Sequence, residues 1–99
     1  MTGFTDGARL GLLGRKLPPA FELRVRVLPV GCAEPVDTAD WDDSLVEVAR
    51  GAIELEFVDG KRPRFRDGDV LWLDGLPVRF MRNCGPVSAV LVAIRRRSR

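Results

Sequence analysis

Four aspartates, Asp37, Asp40, Asp42 and Asp43, crowd the short stretch around Trp41 and run directly into Ser44. Carboxylates at that density offer oxygen ligands for a hard cation such as calcium or magnesium. A solvated acidic loop is the competing reading. Transition-metal chemistry has less to work with, because the 99 residues contain no histidine. The commonest nitrogen ligand and the commonest general base near neutral pH are therefore both missing. Ser44 has no imidazole to activate it, which excludes a Ser-His-Asp triad. A nucleophilic cysteine needs a neighbouring base or cation to become a thiolate. Of the two cysteines only Cys84 has a guanidinium close in sequence, Arg82. The plainer reading for Cys32 and Cys84 is structural. Glu47 and Arg79 could act as an acid-base pair, or form an ordinary cross-strand ion pair. The glycines are scattered singly, so no phosphate-binding loop is present.

These residues sit on elements whose pattern is strand-like. Phe21–Val30 alternates, with Phe21, Leu23, Val25 and Val27 on one face and Glu22, Arg24 and Arg26 on the other, the signature of a half-buried strand. Gly31–Asp43 reads as a loop. From Val46 to Arg97 the chain reads as consecutive antiparallel strands, leaving no room for a helix. Predicted strands are Leu45–Arg50, Ala52–Val58, Lys61–Arg66, Val70–Leu73, Val78–Arg82 and Val87–Ile94. Gly51, Asp59-Gly60, Asp67-Gly68-Asp69 and Asp74-Gly75 separate them; each glycine is expected to be a structural turn residue and not a ligand contact, with Asp59-Gly60 the strongest hairpin signal because glycine reaches φ > 0. Pro63 assigns its strand to an edge. Seven or so short strands with turns at this spacing predict an all-β sandwich or barrel.

One domain is expected: an N-terminal arm over 1–19, a β-barrel over 20–96 and a basic tail over 97–99. The arm carries Leu10, Leu12, Leu13 and Leu17 and stops at Pro18-Pro19, which fits neither a helix interior nor a central strand. Met1–Gly14 lacks the basic start and long apolar segment of a secretory signal. No apolar run approaches the roughly 20 residues needed to span a bilayer. Two cysteines do not make a disulfide framework, so the expected compartment is cytoplasmic. The net charge is +2, and four of the sixteen basic residues are Arg95, Arg96, Arg97 and Arg99. With no aromatic beside this run to stack on bases, it reads as a solvated tail and not as a nucleic-acid site.

Several fragments taken together resemble the cupin superfamily. They are Val48–Leu55 around Gly51, Asp59-Gly60, Phe65–Val70, Gly75–Phe80, Asn83-Cys84-Gly85 and Ala89–Ile94. The resemblance covers roughly Leu23 to Arg96 and implies a small jelly-roll (double-stranded β-helix) barrel, often homodimeric. Metal-binding cupins carry two histidines and a glutamate before the first glycine, and a third histidine after the proline of the second motif. Here those positions fall near Asp37–Asp40, at about Ser44, and at Val78 or Arg79. Valine supplies no lone pair to a metal and serine no nitrogen, so the resemblance brings the fold across but neither metal nor other cofactor. The same register turns Ser44, Val46 and Val48 into the barrel together with Val78 and Phe80, with Trp41 at the lip. Such a pocket suits a small hydrophobic or aromatic ligand, unless side chains fill so small a barrel.

Two functions follow as expectations. The first is a non-catalytic module that binds a small apolar ligand or a protein partner. Its expected partner is a second copy of itself, because Val90, Val92 and Ile94 oppose Ala89, Leu91 and Ala93 on one strand and a single barrel covers only one of those faces. Neither nucleic acid nor a membrane is expected as a partner. The alternative is a metal-independent enzyme of the epimerase or isomerase kind, with a carboxylate as acid or base.

Overall fold

The computed structural model describes residues 18–97. The leucine patch at Leu10–Leu17 and the tail residues Ser98 and Arg99 lie outside them. The strands are β1 (Phe21–Leu28), β2 (Ala33–Pro35), β3 (Ser44–Arg50), β4 (Ala52–Phe57), β5 (Arg64–Arg66), β6 (Val70–Trp72), β7 (Val78–Asn83) and β8 (Ala89–Arg96). The segment expected to be one long loop holds β2 and a 3-10 turn, Thr38–Trp41, capped by Asp37, whose carboxylate accepts from the Ala39 N–H at 3.0 Å. No α-helix occurs among the described residues.

Two antiparallel sheets form, sheet I in the order β1-β8-β3-β6 and sheet II in the order β2-β7-β4-β5. Successive strands cross from one sheet to the other except at β4–β5. The order is that of two interleaved Greek keys, a jelly roll. Pro63 precedes β5, which is indeed an edge strand. The strand with two apolar faces, β8, lies inside sheet I between β1 and β3.

The core lies between the sheets. Val46, Val48, Leu91 and Leu28 of sheet I meet Ile53, Leu55 and Met81 of sheet II, all fully buried. Burying each side chain of this size contributes about 1.5–3 kcal/mol. Ser44 and Asn83 are buried polar residues beside this core, and Asn83 is the more heavily bonded. Its side-chain nitrogen donates to the carbonyls of Leu28 (2.9 Å) and Val87 (2.8 Å), and its oxygen accepts from the Gly85 N–H (2.8 Å). Each bond ties a chain reversal to β7, so the Asn83-Cys84-Gly85 motif is structural.

Gly51, Gly60, Gly68 and Gly75 all have positive φ, as the turn reading requires. Gly51 is the most constrained, because a Cβ there would lie 3.0 Å from the Ala89 Cα and 3.2 Å from the Ser88 carbonyl oxygen. The basic run differs from the expected free tail. Arg95 and Arg96 belong to β8, Arg97 N–H donates to the Ala20 carbonyl at 2.7 Å, and its Nε donates to the Pro19 carbonyl at 2.9 Å.

Candidate functional site

Of the residues expected around an interior pocket, Ser44, Val46 and Val48 do point between the sheets and are fully buried, and Val78 and Trp41 are buried as well. Phe80 is not among them. The register shifts between Glu56 and Phe57, so that Phe80 pairs with Glu56 while Val78 pairs with Phe57. This bulge at Arg79 turns Phe80 to the outer face of sheet II, with the Arg79 guanidinium 5.7 Å from its ring centroid. Met81 takes the inward place, so the expectation that Val78 and Phe80 face in together holds for Val78 alone. Glu47 and Arg79 likewise form no pair, since Glu47 lies on the outer side of sheet I and Arg79 on a strand of sheet II. The space among Arg24, Arg26, Trp41 and Ala93 is about 30 Å³, room for a water molecule or two.

That small space marks the sandwich's open edge, where β1 of sheet I faces β2 of sheet II. The register explains how charge comes to lie there. Arg24 pairs with Ala93 and Arg26 with Leu91, whose side chains point into the core, so the polar row of β1 points inward. At an edge strand the long side chains reach solvent while their stems cover apolar surface. Arg26 forms an ion pair with Glu34 across the gap and lies 5.7 Å over the Trp41 ring. Arg24 donates to the Asp40 carbonyl at 2.9 Å, and Arg95 donates to Glu22 at 2.6 Å. The Arg95 hydrogen bond holds the Glu22 carboxyl below its ordinary value. The Arg26–Glu34 pair thus clasps the two sheets at this edge, while Arg95–Glu22 ties β8 to β1 within sheet I.

The apolar row of β1 must then face outward. Leu23 pairs with Ile94, Val25 with Val92 and Val27 with Val90, and Ile94 pairs in turn with Leu45, which pairs with Trp72. The row Leu23, Ile94, Leu45 and Trp72 is therefore apolar across all four strands of sheet I, and Glu47 is a charged residue on the same outer side. Val25 is 49%, Val27 54% and Trp72 50% exposed, whereas Val92 and Glu47 near the centre are buried. Towards one end Phe21, Leu45, Trp72 and Ile94 line a groove of about 430 Å³, with Asp43, Arg95 and Arg96 at its rim. Alternation in the sequence marked the two faces of β1; only the pairing says which one is inside.

The strand order, the sheet stacking and these turns can be set beside known structures. The cupin domain of Cnp3 from Schizosaccharomyces pombe superposes on 85% of the chain with a TM-score of 0.64 at 19% identity. The chain has a cupin fold. Protein NMB1881 from Neisseria meningitidis superposes on 83% of the chain, and on 79% of its own length, with a TM-score of 0.58 at 16% identity. The chain spans 57% of the length of the Cnp3 chain it matches. No family model and no curated protein matches the sequence.

The positions where metal-binding cupins hold their ion do not make a ligand set in this cupin-like sandwich. Ser44 donates its hydroxyl to the Asp42 carbonyl at 3.3 Å, Val78 is buried and apolar, and Asp37 caps the 3-10 turn. Among the described residues no three His, Cys, Asp or Glu side chains converge on one point as a metal requires. The acidic stretch does something else. Asp42 hydrogen-bonds Asp74, and this contact, followed by burial and by the charges of Asp42 and Asp43, pushes the Asp74 carboxyl above its ordinary value. The pair borders a surface hollow of about 450 Å³ with Ala39, Gly75, Leu76 and Pro77. Asp43 itself sits at φ 54°, a left-handed conformation that aspartate tolerates better than most residues. No spacing rule pointed to the Asp42–Asp74 contact, which joins two turns that are distant in sequence.

Proposed function

We propose that this cupin-like protein is a non-catalytic interaction module that pairs with a second copy of itself through the outer faces of β1 and β8. The observation that carries this reading is the outward row Phe21, Leu23, Val25 and Val27, laid beside Val90 and Ile94. In an edge strand one face ordinarily serves the core, and here the core takes the arginine face. An apolar face of this kind on two adjacent eight-residue strands is a common mark of a protein interface. Apolar rows related by a two-fold axis are self-complementary without any charge having to find its opposite. The small size of the space beside the inward residues, about 30 Å³, also favours a surface function over an enclosed ligand. Light scattering at micromolar concentration tests the reading: a mass twice the 11.0 kDa of the chain is expected, and a clean monomer overturns it.

One observation favours a second reading. Two neighbouring carboxyls beside an open hollow, with that of Asp74 held above its ordinary value by Asp42, have the form of an acid-base pair. That arrangement suits a metal-independent epimerase or isomerase, with Asp74 as the acid-base carboxyl. Turnover of a racemisable hydroxy or amino acid, abolished in Asp74→Asn, supports it. The absence of solvent-deuterium exchange into a panel of such compounds counts against it.

A further inference from the structure

The outer face of sheet II is as charged as that of sheet I is apolar, and its charges are layered. Three cross-strand rows build it: Ala33, Arg82, Glu54 and Arg64; Pro35, Phe80 and Glu56, with Arg62 opposite Glu56; and Ala52 with Arg66. Glu54 is bonded by Arg64 and by Arg82, each at 3.1 Å, and Glu56 by Arg82 at 3.6 Å and Arg62 at 3.7 Å. The carboxylates lie beneath and the guanidiniums on top. The Glu54 side chain is 9% exposed and that of Arg64 is 72%. Each carboxylate is shared between two arginines, and Arg66 makes no ion pair among the described residues. Positive charge is therefore in excess on the accessible layer. Arg64 binds Glu54 through Nε at 3.1 Å, and a guanidinium has further N–H donors to offer a second acceptor.

We infer that this face docks an extended acidic peptide, with carboxylates at alternate residues lying along Arg62, Arg64 and Arg66. Three features fit that partner. Arg64 and Arg66 lie two residues apart on β5, about 6.6–7 Å, which is also the distance between same-face side chains of an extended peptide, and Arg62 continues that spacing just before the strand. Arginine forks recognise carboxylates through paired N–H donors. The buried glutamates hold the guanidiniums in place, so less side-chain freedom is lost on docking. Blunting of the sheet edge does not account for the arginines. At the end of β5 the outward Arg66 N–H is already taken by the Asp69 carboxylate at 2.9 Å. Single-stranded nucleic acid fits less well, because among the described residues this face carries a single aromatic, Phe80, and it is flanked by Arg79.

Fluorescence anisotropy of the full chain with a labelled twelve-residue peptide of alternating glutamate and serine provides the test. Binding is expected at low salt, weakening about tenfold towards physiological salt as the charges are screened. Arg66→Ser, which removes no ion pair from the fold, should weaken binding about tenfold. Arg62→Ser with Arg66→Ser should abolish it, with a melting temperature near that of the parent. Three results overturn the inference: no binding at low salt, parental binding by a folded Arg62→Ser/Arg66→Ser variant, or tighter binding of an oligonucleotide of equal charge. None of them bears on self-association through sheet I.

Discussion

Replacing Gly51 and Gly60 separately by alanine should destabilise the protein to different extents, and the difference reports the packing of the β3–β4 turn against β8. Both glycines are left-handed, with φ of 87° and 91°. A Cβ in that region costs roughly 1–2 kcal/mol. Alanine returns about 0.4–1 kcal/mol by restricting the unfolded chain. At Gly60 nothing lies within 4 Å of the added Cβ, so the net loss stays near 1 kcal/mol. At Gly51 the Cβ meets the Ala89 Cα at 3.0 Å and the Ser88 carbonyl oxygen at 3.2 Å. Both contacts are backbone, and neither can rotate away. Overpacking of this kind adds about 1–3 kcal/mol, for a total of about 2–4 kcal/mol. In a domain of this size 1 kcal/mol moves the melting temperature by roughly 4–8 °C. Gly60→Ala should therefore melt about 4–8 °C below the parent, and Gly51→Ala at least about 10 °C below it. Circular dichroism melts at one fixed protein concentration read the difference, since a self-associating chain melts higher when concentrated. If Gly51→Ala melts no lower than Gly60→Ala, the close approach of the turn to β8 is wrong. If Gly60→Ala melts with the parent, the Asp59-Gly60 turn and the β4–β5 register must be redrawn.

Three further outcomes are expected. The folded pKa of Asp74 is raised above 3.8, so its contribution to stability is full below that pH and is lost as pH rises through the folded value. Asp74→Asn should accordingly melt higher than the parent at pH 7 and lose that advantage towards pH 3; a constant difference across the range contradicts the Asp42–Asp74 contact. Glu54 behaves in the opposite sense. The hydrogen bond from Arg64, followed by that from Arg82, holds it below 4.5, so its contribution is present above 4.5 and lost on acidification, and Glu54→Gln should flatten the acid limb of the stability profile. Elemental analysis after chelation and gel filtration should find no stoichiometric zinc, iron, nickel or manganese, because the chain has no histidine and presents Ser44 and Val78 at the ligand positions.

The parts of the fold that local chemistry dictates were legible in the sequence. Asp-Gly pairs placed the turns because few other residues reach φ > 0, and alternation placed β1, β3, β4 and β8 to within two residues at their starts. Pro63 marked an edge strand because it cannot donate to a second neighbour. Side-chain direction was harder to read. A period of two distinguishes the faces of β1 without saying which is inside, and the exposed position of the edge lets Arg24 and Arg26 occupy the inner side. One extra residue in β7 reversed Phe80, since a bulge shifts everything beyond it to the opposite face. The three-residue β2 lay below the length at which alternation can be recognised. The Asp42–Asp74 contact and the layered charges of sheet II depend on pairings remote in sequence, and no motif encodes them.

The central claim is that the outward row of β1 is an interface between two copies of this chain. Sedimentation equilibrium on the parent and on a Val25→Lys/Val27→Lys variant tests it most directly. Both side chains are half-exposed and outside the packed core, so the variant should fold and melt as a cooperative unit. Two lysines per copy would meet their own images across a two-fold axis, where like charges repel and are stripped of water. The account predicts a dimeric parent and a monomeric variant, with Phe80→Lys on the opposite sheet remaining dimeric. A variant that folds and stays dimeric would place the interface elsewhere and contradict it.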